Sequence, residues 1–130
     1  MYCAGYKGIV LYDCSNCELL RIESSYNQDS GIQLYHGLNI IKDCDSHHNF
    51  GYKNKHIIAN YGFSSDGFSD KLYKGEGNTF INCRSWSNTD DGFDFFGREN
   101  NSTEHPSKLI GCWAFFNGRS KWNMEKHPRY

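Results

Sequence analysis

An eleven-residue pattern occurs four times along the chain without a gap, and it constrains the fold more than any other feature of the sequence. The copies are residues 17–27, 39–49, 78–88 and 107–117. In every copy the third residue is apolar, the sixth is Ile or Cys, the eighth is Ser or Ala, and the eleventh is Asn. Such columns predict a solenoid, because stacked coils turn each column into a ladder.

A second short apolar segment follows three of the copies, at Gly31-Ile-Gln-Leu34, Asp66-Gly-Phe68 and Asp91-Gly-Phe-Asp-Phe95. Successive repeat asparagines are 22, 39 and 29 residues apart, so the shortest coil has 22 residues and the longer two carry loops. Short strands and turns without helical periodicity, and without the Leu-x-x-Leu-x-Leu pattern of leucine-rich repeats, predict an all-β parallel β-helix. We expect one domain over residues 1–130, with about four to five coils. Neither end has an obvious cap, which predicts a fragment of a longer helix.

Two columns of the repeat have structural explanations. The Cys column (Cys44, Cys83 and Cys112) is expected to be buried, because free Cys behaves as a small apolar side chain. The Asn column is expected at a turn, where Asn tolerates left-handed backbone and can bond the backbone of a stacked neighbour.

Structural zinc is disfavoured. Cys14 and Cys17 form a Cys-x-x-Cys, but no second pair follows at zinc-ribbon spacing. His47 and His48 are adjacent, and adjacent residues of a strand point to opposite faces.

The charge balance removes two classes of partner. A formal net charge of −1, from 14 Lys and Arg against 15 Asp and Glu, gives no electrostatic case for nucleic acid or an anionic membrane. No apolar run approaches the ~20 residues of a membrane-spanning helix. The first residues show no signal-peptide pattern, as in a mature secreted protein or an internal fragment. We expect a monomer without nucleic-acid or membrane partners.

Acidic residues concentrate between the second and third coils. Asp66 and Asp91 each precede a Gly-Phe, so the repeat places them in one column, with Asp90 and Asp94 beside them. Two carboxylates one coil apart repel by on the order of 3 kcal/mol at an effective dielectric near 20. Such a cluster must bind a cation, take up protons or spread into solvent. Oxygen ligands in this number suit Ca²⁺, and no His or Cys lies in the column to favour zinc.

The first coil is an internal control for this cluster. Its equivalent residues are Asp29, Ser30 and Gln33, so the acid is concentrated between the second and third coils. A solvated acidic turn, with Lys71 and Lys74 as counter-charges, remains the alternative to a calcium site.

These segments resemble the family 9 polysaccharide lyases, which are calcium-dependent pectate lyases on a right-handed parallel β-helix. The resemblance is carried by Asp66-Gly-Phe-Ser-Asp-Lys-Leu72 and by residues 75–96, and it extends more weakly over about residues 20–123. It implies a secreted protein, polygalacturonate (pectate) as the acidic polysaccharide partner, and Ca²⁺ as cofactor. The residues that match the family's calcium ligands are Asp66, Asp90, Asp91 and Asp94.

The family's reaction is a β-elimination, in which a neutral lysine removes the C5 proton of a galacturonate. The family's base lies in a Gly-Asn-Gly-Phe-Lys-Leu-Gly-Gly-like segment that this sequence lacks. Lys71, Lys121 and Lys126 are the remaining candidates, and none lies in that motif. Arg84 and Lys71 could hold uronate carboxylates, although surface charge is the favoured explanation of Arg84. We therefore expect this chain alone to be inactive.

Three functions stay open on the sequence. The chain is a section of a pectate lyase that carries the calcium site, a non-catalytic β-helix that binds calcium and acidic polysaccharide, or a structural or adhesive solenoid with an incidental acidic cluster.

Overall fold

The computed structural model describes residues 6–51, 64–74, 77–96 and 106–118, and over these ranges the only regular secondary structure is β-strand. No helix in this part of the chain is long and apolar enough to cross a membrane. The strands are β1 (Ile9–Leu11), β2 (Glu18–Leu20), β3 (Glu23–Ser25), β4 (Ile32–His36), β5 (Ile40–Lys42), β6 (Asp45–His47), β7 (Phe68–Lys74), β8 (Thr79–Ile81), β9 (Arg84–Trp86), β10 (Phe93–Phe95), β11 (Lys108–Ile110) and β12 (Trp113–Phe115).

The strands form three parallel sheets, and successive strands of the chain go to different sheets. Sheet one has the order β1-β4-β7-β10, sheet two β11-β8-β5-β2, and sheet three β12-β9-β6-β3. The apolar column of the repeat is in Cα register across sheet two, from Leu19 through Ile41 and Phe80 to Leu109. The predicted parallel β-helix is therefore confirmed.

The core is a narrow column enclosed by the three sheets. Its fully buried side chains are Ile32, Leu34, Ile41, Cys44, Phe68, Phe80 and Cys83. The rings of Phe68 and Phe93 stack with centroids 4.9 Å apart, and Phe80 meets both edge-on. Burial of Cys44 and Cys83 confirms their apolar role, whereas Cys112, on the last described coil, is half-buried.

The corners between sheets use left-handed backbone at two positions of each repeat. The fifth residue is Arg21, Asp43, Asn82 or Gly111, and the tenth is Tyr26, His48, Ser87 or Phe116. The prediction that the eleventh-position Asn itself takes this conformation is wrong, because the residue before it does so. Left-handed backbone costs a non-glycine residue roughly 1–2 kcal/mol, and the hydrogen bonds of the adjacent Asn offset this cost.

The eleventh-position asparagines form a continuous buried ladder. The backbone N–H groups of Asn27, Asn49 and Asn88 each donate to the side-chain oxygen of the next Asn, at 3.1 Å in every case. The side-chain amides donate to the same oxygens at 2.8–2.9 Å. The predicted bonding to the stacked neighbour is confirmed, and it satisfies polar groups that water cannot reach.

The structure adds one Cys pairing that the sequence interpretation did not predict, and it corrects the expected orientation of one His. Cys14 and Cys17 form a disulfide. His48 does not point away from His47, because its left-handed backbone (φ 54°) turns the ring back, and the two Nδ1 atoms lie 2.7 Å apart.

Candidate metal centre

Close backbone contact at the start of each sheet-one strand holds the Asp residues of the Asp-Gly-Phe motifs. A Cβ atom on Gly67 would lie 1.8 Å from Ser85 Oγ and 2.7 Å from the carbonyl oxygen of Gly92, so only glycine fits. The N–H of Gly67 donates to the carbonyl oxygen of Asp91 at 2.9 Å, which sets Asp66 directly against Asp91. The column predicted for these two residues is confirmed.

Three of the predicted ligands converge at this corner. Asp66, Asp90 and Asp91 each offer a carboxylate oxygen, and these oxygens lie within 4.8 Å of one another. Asp66 is buried, Asp90 is half-buried and Asp91 is exposed. The cluster therefore runs from the interior of the turn to its surface.

Neighbouring donors orient the carboxylates without neutralising them. Asp66 accepts the backbone N–H of Asp91 at 3.2 Å and the Ser30 hydroxyl at 3.1 Å. Asp90 accepts the backbone N–H of Ser64 at 2.7 Å. Every donor in these bonds is uncharged.

The electrostatics of the cluster follow from its burial. The pKa of Asp66 is raised to about 7, mainly by desolvation and then by the charges of Asp94 and Asp90, which outweigh the lowering effect of Lys71. Partial desolvation at its exposed position, followed by the charges of Asp90 and Asp94, also raises the pKa of Asp91. The charged forms of Asp66 and Asp91 are therefore disfavoured unless a cation joins them.

Asp94 lies beside the three-carboxylate group and pairs with Lys71. It follows Phe93 in β10 and is in register with Ser69 of β7, on the same sheet as the motif glycines. Its Oδ2 contacts Lys71 Nζ, and the side chains are 24% and 19% exposed. Lys74 belongs to β7, but its side chain is outside the part of the structure that is described.

These residues fit a hard divalent cation. Ca²⁺ takes 6–8 oxygen ligands, and Asp66, Asp90 and Asp91 supply up to six carboxylate oxygens, with Asp94 beside them. Two buried hydroxyl oxygens nearby, on Ser65 and Ser69, have no hydrogen-bond partner among the described residues. Asp66 is buried and, within the described part of the chain, receives hydrogen bonds only from the uncharged Ser30 hydroxyl and Asp91 N–H, so a cation would supply the missing positive charge.

The other predicted site residues lie elsewhere. Arg84 is in β9 on sheet three, where Nε and one terminal nitrogen donate to Asp45 at 2.8 and 2.6 Å. This bidentate ion pair explains the orientation of the Arg84 guanidinium without a bound ligand. Lys121 and Lys126 lie outside the described residues.

The sequence interpretation missed Asp70, a buried carboxylate two residues after Phe68. Asp70 is in register with Leu34 of β4 on one side and with Phe95 of β10 on the other, in a core-facing column. Asn78 donates to it at 2.9 Å and Ser107 at 2.5 Å, and burial raises its pKa. The period-two pattern of β7 was the available signal, because Asp70 shares the inward phase of Phe68.

Comparison with known proteins gives one consistent result. A family model described as the Pel9A-like right-handed β-helix region matches residues 1–128. Pectate lyase L of Dickeya dadantii (strain 3937) is 32% identical over 124 residues, which are 92% of this chain and 26% of that protein. Pectate lyase L of Paenibacillus polymyxa (strain SC2) is 30% identical over 128 residues, which are 90% of this chain and 27% of that protein. The chain thus spans about a quarter of these relatives.

Among solved structures, the crystal structure of pectate lyase Pel9A superposes with a TM-score of 0.72 at 28% identity. The match covers 96% of this chain and 29% of that one. It agrees with the right-handed course expected of the helix.

Proposed function

The chain belongs to the family of Pel9A-like right-handed β-helices, and from this membership we propose that it carries the calcium site of a lyase that cleaves polygalacturonate by β-elimination. The pectate lyase-like β-helix is established by the family match. Calcium, the substrate, an extracellular location and a monomeric state are parts of the proposal.

One observation carries the proposal. Asp66, Asp90 and Asp91 meet with oxygens within 4.8 Å, and the innermost carboxylate is buried beside its neighbours' charges. A solvated acidic turn would let the carboxylates separate into water, whereas the contacts at Gly67 hold Asp66 against Asp91. This arrangement favours cation binding over the structural or adhesive alternative.

The residues of the chain would have distinct roles in such a site. Asp66, Asp90, Asp91 and Asp94 would hold Ca²⁺. When bound, calcium would withdraw charge from a substrate carboxylate and stabilise the negative charge that develops after proton removal. Asp66 is fixed by Ser30 and by the backbone of Asp91, so it would provide the rigid inner wall. The base is not assigned to any described residue.

Non-catalytic binding of calcium and acidic polysaccharide is the second candidate. The observation that favours it is the ion pair of Lys71 with Asp94, because Lys71 is the one candidate base within the described residues. A base must direct its nitrogen at the substrate proton, and the Nζ of Lys71 is instead held by Asp94.

Calcium titration of the full chain by isothermal calorimetry tests the metal site. Asp91→Asn should lower the affinity at least tenfold, because it removes one of three converging charges. Asp43→Asn is the matched control, since it removes the same charge at an exposed corner (φ 53°) where Asn is well tolerated. Equal affinities of Asp91→Asn and the wild type would reject the calcium site.

The two candidates are then separated by activity on polygalacturonate. Elimination leaves an unsaturated product that absorbs in the ultraviolet, so calcium-dependent product formation would establish a lyase. Retention of polygalacturonate in the presence of calcium, without product, would establish the binding function.

A further inference from the structure

We propose that Lys71 is an internal counter-ion of the acidic site, which calcium must displace from Asp94 and which thereby sets the calcium affinity. This inference rests on the proposed calcium function and adds a role for Lys71 other than base or substrate contact.

The position of Lys71 is built into the fold. Its Nζ contacts Asp94 Oδ2 across two neighbouring strands, and both side chains are largely withdrawn from water. The ammonium also lies 5.3 Å from the centre of the Phe96 ring, within cation–π range. The backbone N–H of Phe96 donates to the carbonyl oxygen of Asp70 at 3.0 Å, so the ring sits on a hydrogen-bonded strand end.

The charge of Lys71 also acts on two carboxylates besides Asp94. It acts favourably on the negative charges of Asp66 and Asp91 in addition to its contact with Asp94. In the metal-free protein the ammonium therefore offsets part of the repulsion among four carboxylates. The same charge opposes calcium binding, because the lysine pairs with Asp94 and repels an incoming dication.

A second lysine–aspartate pair in the first coil provides a comparison. Lys7 Nζ lies 2.6 Å from Asp29 Oδ1, and Asp29 occupies the column of Asp90. Ser30 and Gln33 stand where the later coils have acids, so this pair has no cluster to regulate. Both pairs withdraw a lysine from water, but only Lys71 adjoins a candidate cation site.

The test combines calcium affinity with thermal stability in the full chain. Lys71→Met keeps the length of the side chain and removes its charge. We expect calcium to bind about tenfold more tightly, with a lower melting temperature in chelator and a larger calcium-induced rise. Lys71→Arg keeps the charge and should bind within about twofold of the wild type. Lys7→Met is the matched control, and its calcium affinity should also stay within about twofold.

The proposal is decided by whether Lys71→Met binds calcium more tightly or more weakly than the wild type. Unchanged or weaker calcium binding in Lys71→Met would contradict it, because a merely structural lysine would lower stability and affinity together. If Lys71→Met does not fold, Lys71→Gln replaces it, with the same expected tightening and the same contradicting result. A wild-type chain that binds no calcium would contradict both this inference and the proposed function, whereas wild-type binding without tightening would contradict the inference alone.

Discussion

Three stacked positions around the start of each sheet-one strand hold different side chains in the first coil and in the later coils. In the first coil they hold Asp29, Ser30 and Gln33, and the single carboxylate pairs with Lys7. In the later coils the columns of Ser30 and Gln33 continue into Asp66 and Asp94. The backbone hardly differs, since the N–H groups of Gly31 and Gly67 bond the next coil at the same 2.9 Å.

This difference teaches that the β-helix separates scaffold from site. The stacking of glycine, serine and asparagine columns fixes the corner in both regions. A few acidic residues in otherwise equivalent positions then replace a neutralised corner with the acidic cluster of the proposed cation site. The predictions below test this separation, beginning with the largest expected effect.

Without calcium, the acidic corner should make stability fall as the pH rises. The pKa of Asp66 is about 7 in the folded chain and 3.8 in the reference state, so the unfolded chain loses this proton first. The stabilisation is complete below pH 4 and is lost as the pH approaches 7, by at most about 4 kcal/mol. Urea denaturation in chelator at several pH values measures the slope, and Asp66→Asn should reduce it. An equal slope in the two proteins would contradict the assignment to Asp66.

Replacing the glycine at the start of a sheet-one strand should lower the stability equally in both regions. Gly31→Ala and Gly67→Ala each place a Cβ within 2 Å of a buried serine oxygen, Ser46 Oγ or Ser85 Oγ. Each substitution should lower the free energy of unfolding by about 3 kcal/mol. Adding Ser85→Ala to Gly67→Ala should recover part of the loss, because the nearest colliding atom is removed. A large loss at only one glycine would show that the two corners are not equivalent.

The asparagine ladder should also contribute equally along the helix. Asn49→Ala and Asn88→Ala each remove the acceptor of a buried backbone N–H, that of Asn27 or of Asn49. A buried donor left without a partner costs about 1–3 kcal/mol, so we expect both variants to lose about 2 kcal/mol in chemical denaturation. Losses that differ by more than about 1 kcal/mol would argue against a uniform ladder.

The smallest effect is expected at the ion pair of the first coil. Lys7→Met should lower the free energy of unfolding by about 1.5 kcal/mol, because it removes one charge-assisted hydrogen bond from Asp29, which keeps the backbone N–H of Ser30 as a donor. Denaturation with and without calcium measures the effect. A loss that calcium reverses would link the first coil to the metal site and contradict the separation of the two regions.

The sequence by itself determined the architecture and the acidic column. A gapless repeat states which residues stack, because parallel coils keep their register and side chains alternate strictly along each strand. The shared column of Asp66 and Asp91 followed from this rule, as did the interior Cys and apolar ladders. Resemblance to the lyases added the expected fold handedness and the calcium assignment.

Only the tertiary structure decided which residues take left-handed backbone at the corners and which side chains pair across coils. The left-handed position fell on the residue before each Asn, His48 turned back onto His47, and Asp70 found Asn78 and Ser107 inside the core. Lys71 could have reached solvent or any of several acids, and it pairs with Asp94. Register depends on a period that can be read along one strand, whereas these outcomes depend on corner geometry and on which side chains meet across neighbouring coils.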